Sequence, residues 1–449
     1  MAITRRDSLA LGAAALGAAA SIPIIGAKAA FDDVPTADVR APEYKIEQGA
    51  SLHVIRPAKF IDPDEVYWKE NTKKFTDKTG VDVKVDFVSW EDLRPQLAVV
   101  ANTGAGADIV VSFGGDPHIY TDKLVEMTDL ADYLGAKYGG WYDLALLYGR
   151  KWETKNWIAL PMGGGTGPVL YRKSWVNEAG YNEIPNDLEK FLDLCQKLQK
   201  NGHPFGMSLG HALGDANGYS EWLLWSHNAY VVDEKGKLAL DSKETIEALK
   251  YATELQKTMI PGTLTWNDVG NNQAYQSGAI GMTFNGVSLY YTMLKSPDPK
   301  VNAMAADTFS QDTPFGLSKR KPMTAAPISA MLFKHSKYPN AAKEYIRFMM
   351  EKDQYGLWLS SCLGYWCQPL KAYSQMKFWD SDPKLKPFKS ALDSPFYEGY
   401  KGPIGAASAA VIANYTVVDM FASVVSGAST PEAAAKQAAR AAERYYRRA

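Results

Sequence analysis

SLHVIRP at residues 51–57, DEVYWKENTKKFTDKTG at 64–80 and VDVKVDFV at 81–88 decide how this chain folds. The first is a short apolar run that ends at a turn. The second is rich in helix formers and closes on Gly80, the residue type that takes left-handed backbone after a helix. In the third, Val81, Val83, Val85 and Phe87 alternate with polar residues, the two-residue period of a strand. WEDLRPQLAVVANTG (90–104) predicts a second helix and turn, and ADIVVSF (107–113) a strand apolar on both faces, as in a buried parallel sheet. Strand, helix, strand, helix, strand is the order of a doubly wound α/β lobe, whose ligands approach the carboxyl ends of its strands.

The alternation resumes further on. WIALPM (157–162) and PVLYRKS (168–174) flank GGGTG (163–167), and NDLEKFLDLCQKLQKNG (186–202) places Leu188, Phe191, Leu192, Cys195 and Leu198 on one helical face, which makes Cys195 a core residue. SKETIEALKYATELQKTM (242–259) predicts a helix capped by Asp241 or Ser242. NQAYQSG followed by AIGMTFNG reads as helix, turn and strand, APISAMLF (326–333) as a buried strand, and YPNAAKEYIRFMMEKD (338–353) as a helix. From Ala410 to TPEAAAKQAARAAERYYRR two more helices are expected. At 449 residues the chain is long enough for two cores. The expectation is two α/β lobes, with WIALPM and APISAMLF as crossings between them.

Lys plus Arg number 49 and Asp plus Glu 50, so no basic surplus points to nucleic acid or anionic lipid. The N-terminus departs from that balance. Arg5-Arg6 lead into the Ala/Gly-rich apolar run 9–27, interrupted by Pro23 and followed by Ala27-Lys28-Ala29. This reads as an export signal over residues 1–29, and the paired arginines resemble the bacterial twin-arginine signal. No cysteine stands at the cleavage point, so no lipid anchor is expected. Removal of 1–29 leaves 46 basic against 49 acidic groups on a periplasmic chain that starts with an extended leader, residues 30–49.

Several stretches invite chemistry. GGGTG runs into Pro168 and a strand, without the Gly-Lys-Ser/Thr ending or the helix start that phosphate loops use; its glycines suit a turn, flexing between lobes, or close approach to a small ligand. GMSLG (206–210) fits the G-x-S-x-G nucleophile elbow, but HALGDANGY (211–219) reads as a loop where the elbow needs a helix, so a secreted hydrolase using Ser208 is the reading of a different class. The six histidines show no H-E-x-x-H, and no metal site or cofactor is expected. SSCLGYWCQPL (360–370) allows a metal knuckle, a disulfide between Cys362 and Cys367, or backbone that presents Tyr365 and Trp366; the first lacks a second ligand pair. Aromatics are the positive signal: Trp90, Trp222, Trp225, Tyr365 and Trp366 sit beside turns or helix starts, where flat apolar faces suit ligands that are hydroxylated at the edge.

These pieces resemble the extracellular solute-binding proteins of bacterial ABC importers, in the carbohydrate group that includes maltose-binding protein. FTDKTGVDVKVDF (75–87), GADIVVSFGGD (106–116), NWIALPMGGGTGPVLYRKSWVNEAG (156–180), QAYQSGAIGMTFNG (273–286), YPNAAKEYIRFM, LGYWCQPL and the C-terminal helix carry the resemblance in the family's order, over nearly the whole mature chain. The resemblance implies the type II periplasmic binding protein fold: two doubly wound Rossmann-like lobes, 50–160 with 324–365 and 161–323 with 366–449, joined by several crossings. It implies a monomer that closes on a carbohydrate or polyol and delivers it to an ABC permease, without catalysis. Carried over by position, it places Arg56, Trp90, Glu91 and Asp116 on one side of the cleft. Gly164, Gly165, Thr166, Asn217, Trp222, Asn285 and Gly286 fall on the other, with Tyr365 and Trp366 on the last crossing. Arg56 would donate to the ligand, Asp116 and Asn285 would accept from its hydroxyls, and the tryptophans would stack. Glycines stand after the first crossing where sugar-binding relatives often carry an acidic or polar residue. With Arg56 they leave a phosphorylated or acidic ligand as the alternative within the fold.

Overall fold

A computed structural model describes residue 31, residues 33–322 and residues 325–447. The export signal expected over 1–29 lies outside the described residues. The opening stretch folds as its pattern dictates. Strand β1 (Ser51–Pro57) leads to a helix, Asp62–Thr79, which Gly80 ends at φ 75° with its N–H on the Thr76 carbonyl; β2 (Asp82–Val88) then pairs parallel to β1. Ser89 caps the next helix, Trp90–Thr103, by accepting from the Asp92 N–H at 3.1 Å, and β3 (Ile109–Phe113) returns parallel to β1.

Two later strands complete this sheet: β4 (Leu160–Thr166) and β8 (Ala325–Leu332), in the order β2-β1-β3-β8-β4. β8 runs antiparallel to both β3 and β4. The second sheet is small: β5 (Val169–Arg172) lies between β6 (Met282–Phe284) and β7 (Thr308–Gln311). Its three strands are antiparallel, and a parallel bridge from Phe205 to Met282 extends it, so the second lobe departs from the doubly wound pattern of the first. Each of its strands is joined by long segments instead of single crossover helices, which leaves the strand direction free.

Three segments connect the two halves. β4 passes through Gly167-Pro168 into β5, the chain returns from β7 to β8, and beyond Leu392 it passes to the smaller buried cluster at Phe396, with Ile404 still in the larger one. Trp366, Leu370, Tyr373, Trp379, Phe388 and Leu392 belong to a buried cluster that takes in side chains of both halves, among them Val54 and Ile109 of the first and Leu170, Tyr275 and Val287 of the second, and Cys367 bridges β4 at Gly164. The leader is also anchored: the Glu47 carboxylate accepts from the N–H groups of Asn340 and Ala341, satisfying the open start of the helix Pro339–Met350. Three helices rather than two form the C-terminus, Ala406–Ala413, Thr416–Val425 and Pro431–Tyr446.

Candidate functional site

The carboxyl ends of β1, β2 and β3 face the loops around the second sheet across a cavity of about 880 Å³, counting its solvent-open mouth. The first wall is aromatic: Phe60 after β1, Trp90 after β2, Phe113 at the end of β3, and Tyr365 with Trp366. Trp90 and Trp366 stack at 6.0 Å between centroids and 29° between planes, and Phe60 touches both Trp90 (5.7 Å) and Tyr365 (6.4 Å). The indole N–H of Trp90 donates to the Ala58 carbonyl at 3.2 Å, and that of Trp366 to Asp64 Oδ1 at 3.2 Å. Their polar edges are thus spent on the protein, and what the wall offers a ligand is ring face.

What holds that wall is a buried ion pair. Asp64 Oδ1 accepts from Trp358 at 3.0 Å as well as from Trp366, and Oδ2 accepts from Arg56 Nη2 at 2.6 Å. Arg56 is fully buried, with its guanidinium over Trp68 at 4.3 Å and Phe87 at 5.4 Å. The three glycines of β4 lie beneath. A Cβ on Gly163 would meet the Trp366 Cβ at 2.5 Å, one on Gly164 would meet Leu392 at 2.8 Å, and one on Gly165 would meet Phe113 at 3.1 Å. Gly163, Gly164 and Gly165 are therefore extended strand, paired with β8, that lets Trp366 and Phe113 close down on it.

The second wall carries the polar side chains: Asp215, Asp268, Asn272, Asn285, Ser288 and Thr313. Tyr219, Trp222 and Phe284 form its floor; Trp222 stacks on Tyr219 (5.8 Å, 17°) and donates to the Pro314 carbonyl at 2.9 Å. Asp268 accepts from three backbone N–H groups, those of Leu213 (2.9 Å), Gly214 (3.1 Å) and Asp215 (2.8 Å), and so closes the start of the helix Asp215–Ser226. Burial pushes both carboxyls of this pair up; at Asp215 the neighbouring Asp268 charge adds to the rise, and at Asp268 the three N–H bonds work against it. Asn285 donates to Asn272, and its backbone N–H reaches the Pro168 carbonyl at 3.0 Å beside the first crossing.

Of the residues expected from sequence, Trp90, Gly165, Trp222, Asn285, Gly286, Tyr365 and Trp366 line the cavity. Glu91 stands exposed at its mouth, where Asn267 of the opposite wall donates to it at 3.3 Å. Arg56 does not reach the ligand space, because Asp64 and two ring faces occupy it. Asp116 is likewise withdrawn: it accepts from Arg94 Nε at 2.9 Å and from Ser112 at 2.5 Å. Asn217 is buried in the helix and donates back to the Leu213 carbonyl at 3.0 Å, and Gly164 lies one layer behind the wall, bridged to Cys367. Thr166 ends β4 opposite Ala325. No Lys, Arg or His is among the described lining residues, so the acidic-ligand alternative loses the cation it relied on.

The two other sequence-level alternatives also resolve. Cys362 and Cys367 are free, buried thiols. The chain turns between them at Leu363 (φ 49°) and Gly364 (φ 72°), which leaves Cys362 beside Asp64 and Arg56 while Cys367 faces Gly164. Burial pushes the Cys367 thiol up to about 12. Ser208 is buried with its hydroxyl donated to the Trp266 carbonyl at 2.6 Å, and His211 pairs instead with Asp419 at 2.8 Å. The stretch 211–219, read as a loop, is helical from Asp215 because Asp268, 53 residues on, supplies the missing acceptor. Phe60, Asp215, Asp268, Asn272 and Thr313 were not singled out in the sequence; the only local signal was the position of Phe60 just past a strand end.

Residues 70–387 match the family described as bacterial extracellular solute-binding protein. Among individual proteins, the chain is 26% identical over 255 residues to the ABC transporter periplasmic-binding protein YcjN of Escherichia coli (strain K12). That match covers 55% of this chain and 56% of YcjN, so the chain spans little more than half of that relative's length. In structure it is similar to maltose-bound MalE3 of T. maritima, with a TM-score of 0.75 at 19% identity over 88% of this chain and 99% of MalE3. A solute-binding protein of Agrobacterium radiobacter K84 in complex with ribitol gives a TM-score of 0.73 at 17% identity, over 88% of this chain and 98% of that one. Both likenesses are of the fold, two α/β lobes of the type II binding-protein kind.

Proposed function

Because the chain belongs to the bacterial extracellular solute-binding protein family, we propose that it captures a carbohydrate or polyol between its two walls and delivers it to the permease of an ABC importer. The observation that carries this reading is the division of labour in the cleft. Aromatic rings line one side, with both indole N–H groups already bonded to the protein, and amides, hydroxyls and carboxyls line the other. A sugar or polyol has that polarity, with C–H faces and hydroxylated edges. The structures with bound maltose and ribitol named above belong to proteins of the same fold, which supports the ligand class.

Capture needs no covalent step. Closing one half against the other buries the ligand from both sides, and affinity follows the contacts made only in the closed form. A ligand of about a dozen heavy atoms at roughly 0.7 kcal/mol each reaches about −8 kcal/mol, or micromolar binding. The protein acts as an exported monomer, and Arg5-Arg6 direct it along the twin-arginine route. A thermal-shift screen tests the reading: unmodified sugars or polyols should raise the melting temperature saturably and remain chemically unchanged, whereas stabilisation by sugar phosphates or acids alone would contradict it.

A further inference from the structure

We propose that the ligand is a glycoside with an aromatic aglycone, whose sugar lies on the stacked indoles and whose aglycone fills the ring-lined corner beside them. This rests on the carbohydrate or polyol reading and narrows it.

The aromatic wall holds more ring than one sugar covers. Trp90 and Trp366, 29° from parallel, already make a platform for a C–H face. Phe60 continues from Trp90 at 35°, and Tyr365 turns across it, at 71° to Phe60 and 49° to Trp366. The four rings close a circuit of contacts, with centroids 4.6 to 6.4 Å apart, and Phe113 stands across Trp90 at 77°. Phe60, Trp90, Phe113 and Tyr365 are all partly exposed, and all line the cavity.

This corner has little to offer a hydroxyl. Phe60 and Phe113 carry no polar side-chain atom, and the indole N–H groups of Trp90 and Trp366 donate to Ala58 and Asp64, so among these five side chains only Tyr365 brings a hydroxyl. A second sugar placed here would carry hydroxyls around its whole edge, and those turned to the rings would lose water without gaining a partner. An aryl group has none to lose. It gains from burial and from tilted and edge-on contacts of the kind these rings already make with one another. The sugar of such a glycoside keeps the polar side, where Asn272, Asn285 and Ser288 line the opposite wall.

Isothermal titration with three series tests the proposal: methyl β-glucoside, phenyl β-glucoside and cellobiose; methyl β-galactoside, phenyl β-galactoside and lactose; methyl α-glucoside, phenyl α-glucoside and maltose. Within each series the sugar stays the same and a methyl group, a ring or a second sugar is attached to it. In at least one series the phenyl glycoside should bind roughly tenfold or more tightly than both other members, from ring burial and ring contacts together. Phe60→Ala should bring the phenyl-to-methyl ratio toward one, while the comparison within the unaltered protein keeps the test independent of how the variant folds. A methyl glycoside or disaccharide that binds as tightly as the phenyl glycoside in every series would overturn the aromatic aglycone and leave the sugar reading standing. A ratio left unchanged by a folded Phe60→Ala would overturn the corner as its place. If no member of any series bound, both readings would fall.

Discussion

The two walls of the cleft are built on opposite principles. On the aromatic wall the indole N–H groups of Trp90 and Trp366 are turned inward, to Ala58 and Asp64; the polar wall has acceptors and donors whose partners are incomplete or are one another. The first is rigidified from behind by a buried charge pair, the second by a carboxylate that closes a helix start. Contact area and direction are thus supplied by different halves of the protein, and neither half alone makes a site. A ligand therefore rewards closure, which is what a capture device requires.

The comparison breaks most severely behind the aromatic wall. Asp64→Ala strands the buried Arg56 charge and releases the indoles of Trp358 and Trp366, and should cost about 3–5 kcal/mol of stability by chemical denaturation. Replacing Arg56 and Asp64 together by apolar residues should recover much of that loss, because no charge is then left alone.

A second buried carboxyl behind the same wall gives a pH signature. Glu398 accepts from the Gly115 N–H at 2.9 Å; burial, opposed by Arg94 and reinforced by Asp116, raises it from 4.5 to about 8. At Glu398 the folded protein keeps a proton that the unfolded chain has released, so the contribution of this group to stability is greatest at the acid end of that window and declines as pH rises from 4.5 toward 8. Across that range the decline in this contribution is on the order of 4 kcal/mol. Between these limits the melting temperature of Glu398→Gln should rise relative to that of the unaltered protein as pH increases, while His118, which burial lowers to about 4, gives the same opposite slope in both.

Within the cleft the effects are smaller and fall on affinity. Trp90→Ala removes half of the stacked pair and should weaken binding roughly 30-fold, about 2 kcal/mol. Asn285→Ala removes one polar partner on the facing wall and should cost about 1 kcal/mol, near fivefold. A reversal of that order would mean that hydrogen bonding carries the affinity and the rings only wall the site.

Much of the first half was legible because its signals are local. Period-two valines, a glycine after a helix and a serine before one each act within a few residues, so β1, β2 and their helices formed where the pattern put them. The aromatic wall was legible too, since Trp90, Tyr365 and Trp366 stand at turns. The charges were not. Arg56 and Asp116 sit at strand ends, where a charge suggests a ligand, yet whether such a group is free depends on partners the pattern does not align with it. Asp64 lies on the next helix, and Arg94 reaches Asp116 from the helix before β3. The polar wall was hidden for a related reason: Asp268 acts on a helix start 53 residues earlier, and nothing near Asp268 announces it. The glycines of GGGTG were visible as glycines, but that they make room for Trp366 and Phe113 belongs to packing across some 50 to 200 residues of chain.

The most direct test is a crystal structure of the protein with whichever sugar or polyol stabilises it most. The ligand should lie in the cleft with its C–H face against Trp90 and Trp366 and its polar edge toward Asp215 and Asn285. A ligand bound outside the cleft, or one whose hydroxyls point at the aromatic wall, would contradict the account.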